Sequence, residues 1–335
     1  MRKALVTGGL GFVGSQIARQ VLAQNLVDQV VLLDHFGGYM SPMRSGFTDW
    51  RKLRLRGLED KVVIERAQAN YANVVNQVLR RHRPTHIFHL AALPLASLEN
   101  INVQEALEGS VVSTGFLLEA CSMMKEEGHK LERFVYTSSS MVYGNFEYAP
   151  ADELHPTRPI EVYGAAKLAG EAVALGMGRR FGLPVTVIRP SAVYGPTDMN
   201  RRVTQIFVEN ALLGKKLVVN GADEALDFTY VADTAAGFVR AAVVPEAVGE
   251  VFNITSGRAF TLLEFVTMLK QFVPDLQYEV APRDGTRPKR GTLSTDKAQK
   301  LLGYKPSYDL QRGIGEYVEF ERKYWLPDQV PDKRR

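Results

Sequence analysis

The length, composition and charge of this chain exclude several classes of protein. Its 335 residues exceed one average domain, which predicts two lobes or one elaborated domain. The 41 basic and 37 acidic residues give a net charge of +4 and are well mixed, whereas nucleic-acid binding requires a concentrated basic face. The single cysteine excludes an internal disulfide framework, and no apolar run reaches membrane-spanning length. We therefore expect a cytoplasmic protein without a nucleic-acid or membrane partner.

The amino-terminal segment has the pattern of a dinucleotide-binding unit. Residues 3–7 read as a short buried strand, Gly8, Gly11 and Gly14 follow, and a helical pattern begins among them. Such a unit brings backbone N–H groups against a pyrophosphate, although an ordinary glycine-rich turn would carry the same residues. The next strand ends at Asp34, whose carboxylate could accept hydrogen bonds from an adenosine ribose and would repel a 2′-phosphate. Together these features predict NAD as the cofactor.

A basic run lies between the second and third predicted strands. Arg51, Lys52, Arg54 and Arg56 stand within a short amphipathic pattern. These side chains could contact a nucleotide phosphate, but a solvated helix face is the favoured interpretation.

Two histidines lie in the fourth predicted strand, residues 85–90. The spacing of His86 and His89 fits positions in a pleated strand, which we favour over metal ligation, and no metal site is predicted. Ala91 and Ala92 follow the strand, and such small residues would let a flat ring approach the backbone.

Three consecutive serines follow the fifth predicted strand, residues 133–137. Ser138, Ser139 and Ser140 lie at the carboxyl end of that strand, which is where ligands bind in an open parallel sheet. Serines also occur in ordinary turns, but this position favours a hydroxyl donor that faces a ligand.

Tyr163 and Lys167 are candidates for a proton-transfer pair. Residues four apart on a helix share one face, although this spacing also arises by chance in many helices. Bringing the pKa of a tyrosine from near 10 to near 7 takes roughly 4 kcal/mol. An ammonium about 4 Å away, at an effective dielectric near 20, supplies about that much. With a cofactor and a serine predicted nearby, we expect Tyr163 to act as a base beside Lys167.

The alternation of strands and helices predicts an α/β fold with a doubly wound parallel sheet of the Rossmann type. We place an NAD-binding domain at residues 1–195 and expect residues 226–252 to return to it. Beyond this domain the elements become shorter and cations cluster, so residues 196–330 are predicted to form mainly a smaller α/β substrate-binding lobe. Residues 331–335 are predicted to be a frayed tail.

A series of motifs runs through the chain in order. They are Thr7-Gly8-Gly9-x-Gly11-Phe12-Val13-Gly14, Asp34, His89-Leu90-Ala91-Ala92, Thr137-Ser138-Ser139-x-x-Val142-Tyr143-Gly144, Tyr163-x-x-x-Lys167, Arg189-Pro190-x-x-Val193-Tyr194-Gly195-Pro196, Asp227-Phe228-Thr229-Tyr230-Val231-x-Asp233 and Leu301-Leu302-Gly303-Tyr304-x-Pro306. With these motifs the chain resembles an extended short-chain dehydrogenase/reductase of the nucleotide-sugar epimerase and dehydratase group. The resemblance covers roughly residues 3–325 and is more specific for the family than for the reaction.

The resemblance implies a role for each residue of the predicted site. Tyr163 would be the general base, Lys167 its partner and a ligand of the nicotinamide ribose, and Ser139 the hydroxyl that hydrogen-bonds the substrate oxygen. The implied reaction moves hydride from a sugar carbon, usually C4, to tightly held NAD⁺ and returns it to the other face. The implied cofactor contacts are Gly8, Gly11, Phe12, Val13, Gly14, Asp34, Gln68, Leu90, Ala91, Ala92, Ser110, Ser138, Tyr163, Lys167, Pro190 and Val193.

The two residues after Ser139 distinguish the branches of the family that this chain resembles. The 4,6-dehydratases have an Asp-Glu pair there, and related decarboxylases have a Glu at the second position, whereas this chain has Ser140 and Met141. Neither side chain can act as an acid or base, so an NAD-dependent nucleotide-sugar epimerase is the predicted function. A nucleotide-sugar 4-dehydrogenase or 4-ketoreductase, a 4,6-dehydratase and a non-catalytic NAD-binding scaffold remain the alternatives.

Four positions depart from the family pattern. Gln68 replaces an Asp near the adenine, and Ser110 replaces an Asn on the nicotinamide side. Ala192 replaces an Asn near the substrate, and Leu226 stands where many relatives have an Arg that holds the diphosphate. A diphosphate needs charge-assisted donors, so either other arginines supply them or the substrate is a different nucleotide sugar. The predicted substrate contacts are Ser139, Ser140, Ala192, Arg202, Arg283 and Arg287.

The resemblance also bears on assembly. Some relatives dimerise through two long helices, which correspond here to residues of about 101–127 and 161–181. Their apolar residues allow a four-helix interface, and the alternative is that both helices pack only on the sheet. We expect a homodimer that binds a nucleotide-diphosphate sugar.

Overall fold

The computed structural model describes residues 1–35, 50–91, 103–283, 285 and 287–329. Ala92 and the predicted tail at 331–335 lie outside these residues. Within the described ranges, no helix has both the length and the apolar character needed to cross a bilayer.

A seven-stranded sheet forms the centre of the fold. The strands of the described chain are β1 (Lys3–Thr7), β2 (Gln29–Asp34), β3 (Val62–Arg66), β4 (His86–His89), β5 (Arg133–Thr137), β6 (Val185–Pro190), β7 (Val193–Tyr194), β8 (Leu217–Asn220), β9 (Ala225–Leu226), β10 (Thr229–Tyr230), β11 (Val251–Ile254), β12 (Phe260–Thr261) and β13 (Tyr278–Ala281). The central sheet has the order β11-β6-β5-β4-β1-β2-β3, and each of its pairs is parallel. The strand order reverses between β1 and β4, and ligands bind at the carboxyl ends of strands at such a point.

Helices cover both faces of this sheet. They are α1 (Phe12–Ala23), α2 (Arg51–Leu55), α3 (Ala72–His82), α4 (Val103–Leu107), α5 (Ser113–Glu126), α6 (Val162–Phe181), α7 (Val203–Leu212), α8 (Val231–Val243), α9 (Leu262–Phe272), α10 (Leu310–Tyr324) and α11 (Leu326–Gln329). Alternate side chains of β1 enter two apolar layers: Ala4 and Val6 pack with Ile17 and Phe238, and Leu5 packs on the opposite face with residues of α3, α5 and α6. The predicted doubly wound Rossmann-type sheet is confirmed.

A smaller second lobe packs beside the carboxyl ends of the sheet. Three short sheets contribute to it, in which β8 pairs with β13, β9 with β12 and β7 with β10. Its core is rich in aromatic rings, with Tyr194, Phe228 and Phe265 packed edge to face or tilted. The chain returns to the central sheet through α8, which packs on α1, and β11, which pairs with β6. The division into domains at residue 195 stays a prediction.

Candidate active site

A cavity of about 1050 Å³ lies at the carboxyl ends of the central strands and extends to the second lobe. Most of the residues predicted from the sequence to form the site line this cavity. They are Gly8, Gly11, Phe12, Val13, Gly14, Asp34, Gln68, Leu90, Ala91, Ser138, Ser139, Ser140, Tyr163, Lys167, Pro190, Ala192, Val193, Arg202, Arg283 and Arg287. The structure therefore brings the proposed cofactor and substrate residues to one continuous space.

The glycine turn after β1 has the geometry of an anion site. Gly8 has a φ of +66°, and a Cβ on Gly14 would lie 2.4 Å from the Gly8 carbonyl oxygen, so α1 approaches the strand only because side chains are absent. No side chain caps α1, whose N-cap is Gly11. The first N–H groups of this helix therefore remain available to a phosphate.

Asp34 ends β2 beside this turn. Its Oδ2 atom accepts a hydrogen bond from the backbone N–H of Leu10 at 3.1 Å, and the carboxylate lines the cavity. The glycine turn and the acidic group predicted to bind ribose are thus held together directly.

The imidazole of His89 takes part in a hydrogen-bonded chain that sequence reasoning missed. Thr7 Oγ1 accepts hydrogen bonds from the N–H groups of Leu90 and Ala91 and lies 2.7 Å from His89 Nδ1. His89 Nε2 lies 3.0 Å from Ser113 Oγ, which donates to the Gly109 carbonyl. Since the Ser113 proton is already engaged, Nε2–H donates to Ser113, and Thr7 donates to the unprotonated Nδ1. Burial lowers the pKa of His89 to about 3, which agrees with this neutral form.

Ser110 occupies a different place from the one predicted. Its carbonyl accepts hydrogen bonds from Thr114 Oγ1 at 2.7 Å and Tyr136 OH at 3.3 Å, and the residue does not line the cavity. A π-helical turn, Glu108–Val112, joins α4 to α5 and displaces the helical register. Ser113 lines the cavity instead.

Ser139, Tyr163 and Lys167 come together at the end of β5. Ser139 begins a 3₁₀ helix, Ser140–Tyr143, and its Oγ accepts a hydrogen bond from Met141 N–H at 3.2 Å. A Cβ on Gly164 would lie 2.6 Å from the Met141 carbonyl oxygen, so this glycine lets α6 approach the serine loop closely. Lys167 Nζ donates to the Thr137 carbonyl at 2.8 Å and lies 5.9 Å from the centre of the Tyr163 ring.

The pKa of Tyr163 does not follow the argument made from the sequence. Burial raises this pKa above its ordinary value, and Arg202 and a hydrogen bond with Ser139 offset only part of the increase. Burial likewise lowers the pKa of Lys167 to about 7, although Glu171 acts in the opposite direction. The expected lowering of the Tyr163 pKa by Lys167 is therefore absent in the protein by itself, because desolvation outweighs the effects of Arg202 and Ser139.

A buried polar network surrounds Glu171, which lies one turn after Lys167 on α6. Arg189 donates two hydrogen bonds to Glu171 at 2.8 and 2.7 Å, and Ser138 Oγ donates to the same carboxylate. Arg189 also donates to Tyr143 OH at 3.0 Å, which donates to Asn253 Oδ1 at 2.8 Å. The network joins α6 to β6 and β11 and lay beyond sequence reasoning, since its members are distant in the chain.

The wall toward the second lobe is cationic. Arg202 donates to the Val193 carbonyl at 3.0 Å, and Arg283 forms an ion pair with Glu224 and donates to the Arg287 carbonyl at 2.7 Å. Leu226 also lines the cavity here. Behind Ser139, Ser140 Oγ donates to Ser191 Oγ at 3.1 Å. All three arginines predicted to contact the substrate, Arg202, Arg283 and Arg287, therefore line the cavity.

Side chains that could ligate a metal do not gather anywhere in the described ranges: no group of three His, Cys, Asp or Glu residues has that arrangement.

Comparison with known proteins places this geometry in context. A model of the NAD dependent epimerase/dehydratase family matches residues 4–255. The structure is similar to that of UDP-glucuronic acid 4-epimerase from Bacillus cereus, solved with UDP-glucuronic acid and NAD, with a TM-score of 0.85 and 26% identity over 96% of this chain and 99% of that one. It is also similar to UDP-glucose 4-epimerase from Thermotoga maritima, solved with UDP-glucose, with a TM-score of 0.83 and 27% identity over the same shares. A dTDP-glucose 4,6-dehydratase of Streptomyces niveus is 29% identical over 99% of this chain and 97% of its own length.

Proposed function

Because this chain belongs to the NAD dependent epimerase/dehydratase family, we propose that it is a nucleotide-sugar epimerase that works through a transient 4-keto sugar. The observation that carries the proposal is the meeting of Ser139, Tyr163 and Lys167 in one cavity with the glycine turn. Relatives include both epimerases and a dehydratase. Dehydration needs a further acid and base beside the sugar, and Ser140 and Met141, which follow Ser139, can supply neither.

NAD is the cofactor, and the residues of the cavity fit it. The N–H groups at the start of α1 are suited to its pyrophosphate, and the Asp34 carboxylate to its adenosine ribose. Lys167 would bind the nicotinamide ribose. When bound, NAD⁺ supplies the hydride acceptor and additional positive charge.

In the proposed reaction, Tyr163 accepts the proton of the sugar C4 hydroxyl. Ser139 donates a hydrogen bond to the same oxygen and holds it beside the tyrosine. Arg202 stabilises the phenolate, because its charge lowers the pKa of Tyr163, and Lys167 Nζ lies 5.9 Å from the centre of the same ring. Tyr163 returns the proton when the keto group is reduced on its other face.

The cationic wall would hold the nucleotide diphosphate. Arg202, Arg283 and Arg287 line this end of the cavity, and guanidinium groups bind phosphates with charge-assisted hydrogen bonds. They would replace the arginine that many relatives have at the position of Leu226.

The reaction can be tested by screening UDP-, GDP-, ADP-, CDP- and dTDP-sugars by thermal stabilisation and following the stereochemistry of products by NMR. We expect one nucleotide sugar to be converted to its epimer without stoichiometric consumption of NAD⁺. Steady formation of NADH would instead identify a net dehydrogenase. A 4-keto-6-deoxy product would identify a dehydratase, and no turnover of any sugar would favour a scaffold.

We also propose that two copies associate through α5 and α6. Several apolar residues on these helices and on the helical segment before α5 are exposed in the monomer: Val103, Leu107, Val112, Met123, Val162 and Phe181. Light scattering coupled to size exclusion should give twice the monomer mass of 37.3 kDa. A monomer at micromolar concentration would contradict this interface.

A further inference from the structure

Arg54 has a set of contacts that a solvated helix face does not explain. Its side chain is 4% exposed, although Lys52 and Arg56 in the same basic run are exposed. Arg54 Nη1 donates to the Leu10 carbonyl at 2.7 Å, and Nη2 donates to the Thr197 carbonyl at 2.5 Å. Nε also donates to Thr197 Oγ1 at 3.3 Å. One guanidinium therefore joins two loops that are far apart in the sequence.

The first of these loops is the glycine turn. Leu10 donates its N–H to Asp34 and accepts from Arg54 at its carbonyl, so a single residue contacts both side chains. Any ligand that orders the glycine turn thereby also fixes the carbonyl that holds Arg54.

The second loop, residues 195–202, carries cations into the other end of the cavity. Thr197 and Arg201 have φ angles of 71° and 49°, values that are costly for residues with a Cβ. Arg201 and Arg202 both line the cavity, and the charge of Arg202 acts on Tyr163. A strained loop of this kind needs contacts that hold its shape, and Arg54 provides two of them through Thr197.

Anchoring of α2 does not require this guanidinium. Arg19 donates to the carbonyls of Arg54 and Arg56 at 3.0 Å each, and Trp50 is buried against Phe320 with ring centres 5.3 Å apart. These contacts tie the helix to α1 and α10 independently of the Arg54 side chain.

We propose that Arg54 is a positioning residue that couples the cofactor turn to the cationic loop 195–202 across the cavity. NAD⁺ bound at the glycine turn fixes Leu10, Leu10 fixes Arg54, and Arg54 holds the loop that presents Arg201 and Arg202. Naming that loop as the substrate side rests on the proposed function, but the coupling itself requires only NAD.

Hydrogen–deuterium exchange with and without NAD⁺ tests this coupling, and no sugar nucleotide is present. In the wild type, we expect NAD⁺ to slow exchange in both segments 8–14 and 195–203 by about fivefold or more. Arg54→Met should keep the protection of 8–14 and lose that of 195–203. Lys52→Met, which replaces an exposed cation on the same helix, is the matched control and should behave as the wild type.

Two results would overturn the proposal. One is protection of 195–203 in Arg54→Met equal to that in the wild type, and the other is no NAD⁺-dependent protection of this loop in the wild type. If Arg54→Met does not fold, Arg54→Lys provides the test, because one ammonium keeps the charge but cannot span both carbonyls as a planar guanidinium does. Failure of the epimerase proposal would appear only in the sugar screen, so the two outcomes are separable.

Discussion

Arg189 and Glu171 form a bidentate ion pair in the interior, with both side chains less than one-tenth exposed. The carboxylate also raises the pKa of Lys167, one turn earlier on α6. Glu171→Gln should leave a buried cation without its partner and lower the free energy of unfolding by about 3–5 kcal/mol. Chemical denaturation measures this loss. Glu147→Gln breaks the exposed pair with Arg158 and should cost less than about 1 kcal/mol, and equal losses in the two variants would contradict the argument.

Replacement of Tyr163 by Phe removes the proposed base without changing the shape of the side chain. Turnover of the substrate found by NMR should fall by at least about 100-fold, since positioned acid–base groups contribute about that much. The affinity for NAD⁺, measured by calorimetry, should change little. Tyr148→Phe alters an exposed tyrosine that bonds Asp152 and should retain full activity. Wild-type turnover by Tyr163→Phe would exclude the mechanism.

Lys167 makes the stability of the NAD-free protein depend on pH. Its pKa falls from 10.5 in an unfolded chain to about 7 in the folded protein. Between these values the unfolded chain binds more protons, so the free energy of unfolding rises with pH. Relative to Lys167→Met, the wild type should gain about 2 kcal/mol between about pH 6.5 and about pH 9. A constant difference between the two unfolding curves would show that the lysine is not desolvated in this way.

Gly14 is expected to be intolerant of a side chain. A Cβ there meets the Gly8 carbonyl oxygen, so Gly14→Ala should displace the turn, cost about 1–3 kcal/mol and weaken NAD⁺ binding measured by calorimetry. Gly176 lies in α6, where an added Cβ would have open space within 4 Å, and Gly176→Ala should stabilise by up to about 1 kcal/mol. Unchanged NAD⁺ affinity in Gly14→Ala would contradict the role of this turn.

Glu224 forms an ion pair with Arg283 and would compete with the proposed diphosphate for this guanidinium. Glu224→Gln should release the guanidinium and tighten binding of UDP by about two- to fivefold, because partly exposed pairs are worth up to about 1 kcal/mol. Arg283→Met should weaken the binding of UDP by about tenfold. Isothermal titration with UDP measures both effects. Glu279→Gln removes an exposed acid paired with Lys216 and should leave the affinity unchanged, whereas weaker binding in Glu224→Gln would place Glu224 itself on the ligand.

The parts of the fold and site that could be predicted are those encoded in short stretches of sequence. Each of three features depends on residues that are close in the sequence. They are the turn from Gly8 to Gly14, the position of Asp34 at the end of its strand, and the helical spacing of Tyr163 and Lys167. That these residues share one cavity could also be predicted, because the carboxyl ends of parallel strands lie at the same edge of the sheet.

The remaining features depend on contacts between distant segments. Arg54 lies in a basic run typical of an exposed face, and its burial accompanies hydrogen bonds to Leu10 and Thr197, which are distant in the sequence. Ser110 lies within a π-helical turn and does not line the cavity, whereas Ser113 does. The pKa of Tyr163 is raised because the effect of burial outweighs those of Arg202 and Ser139, and the extent of burial cannot be obtained from a sequence pattern.

The hydrogen-bonded chain through His89 has a fixed direction. Protons point from the peptide groups after β4 through Thr7, the imidazole and Ser113 to the Gly109 carbonyl. With the other tautomer, Nδ1–H would point at Thr7 Oγ1, which already accepts two N–H groups, and Ser113 would have to give up the Gly109 carbonyl to donate to Nε2. Burial lowers the pKa of His89 to about 3, so this imidazole stays neutral throughout the physiological range. We therefore expect no contribution of His89 to a change of activity with pH in that range, whereas burial lowers the pKa of Lys167, on α6, to about 7.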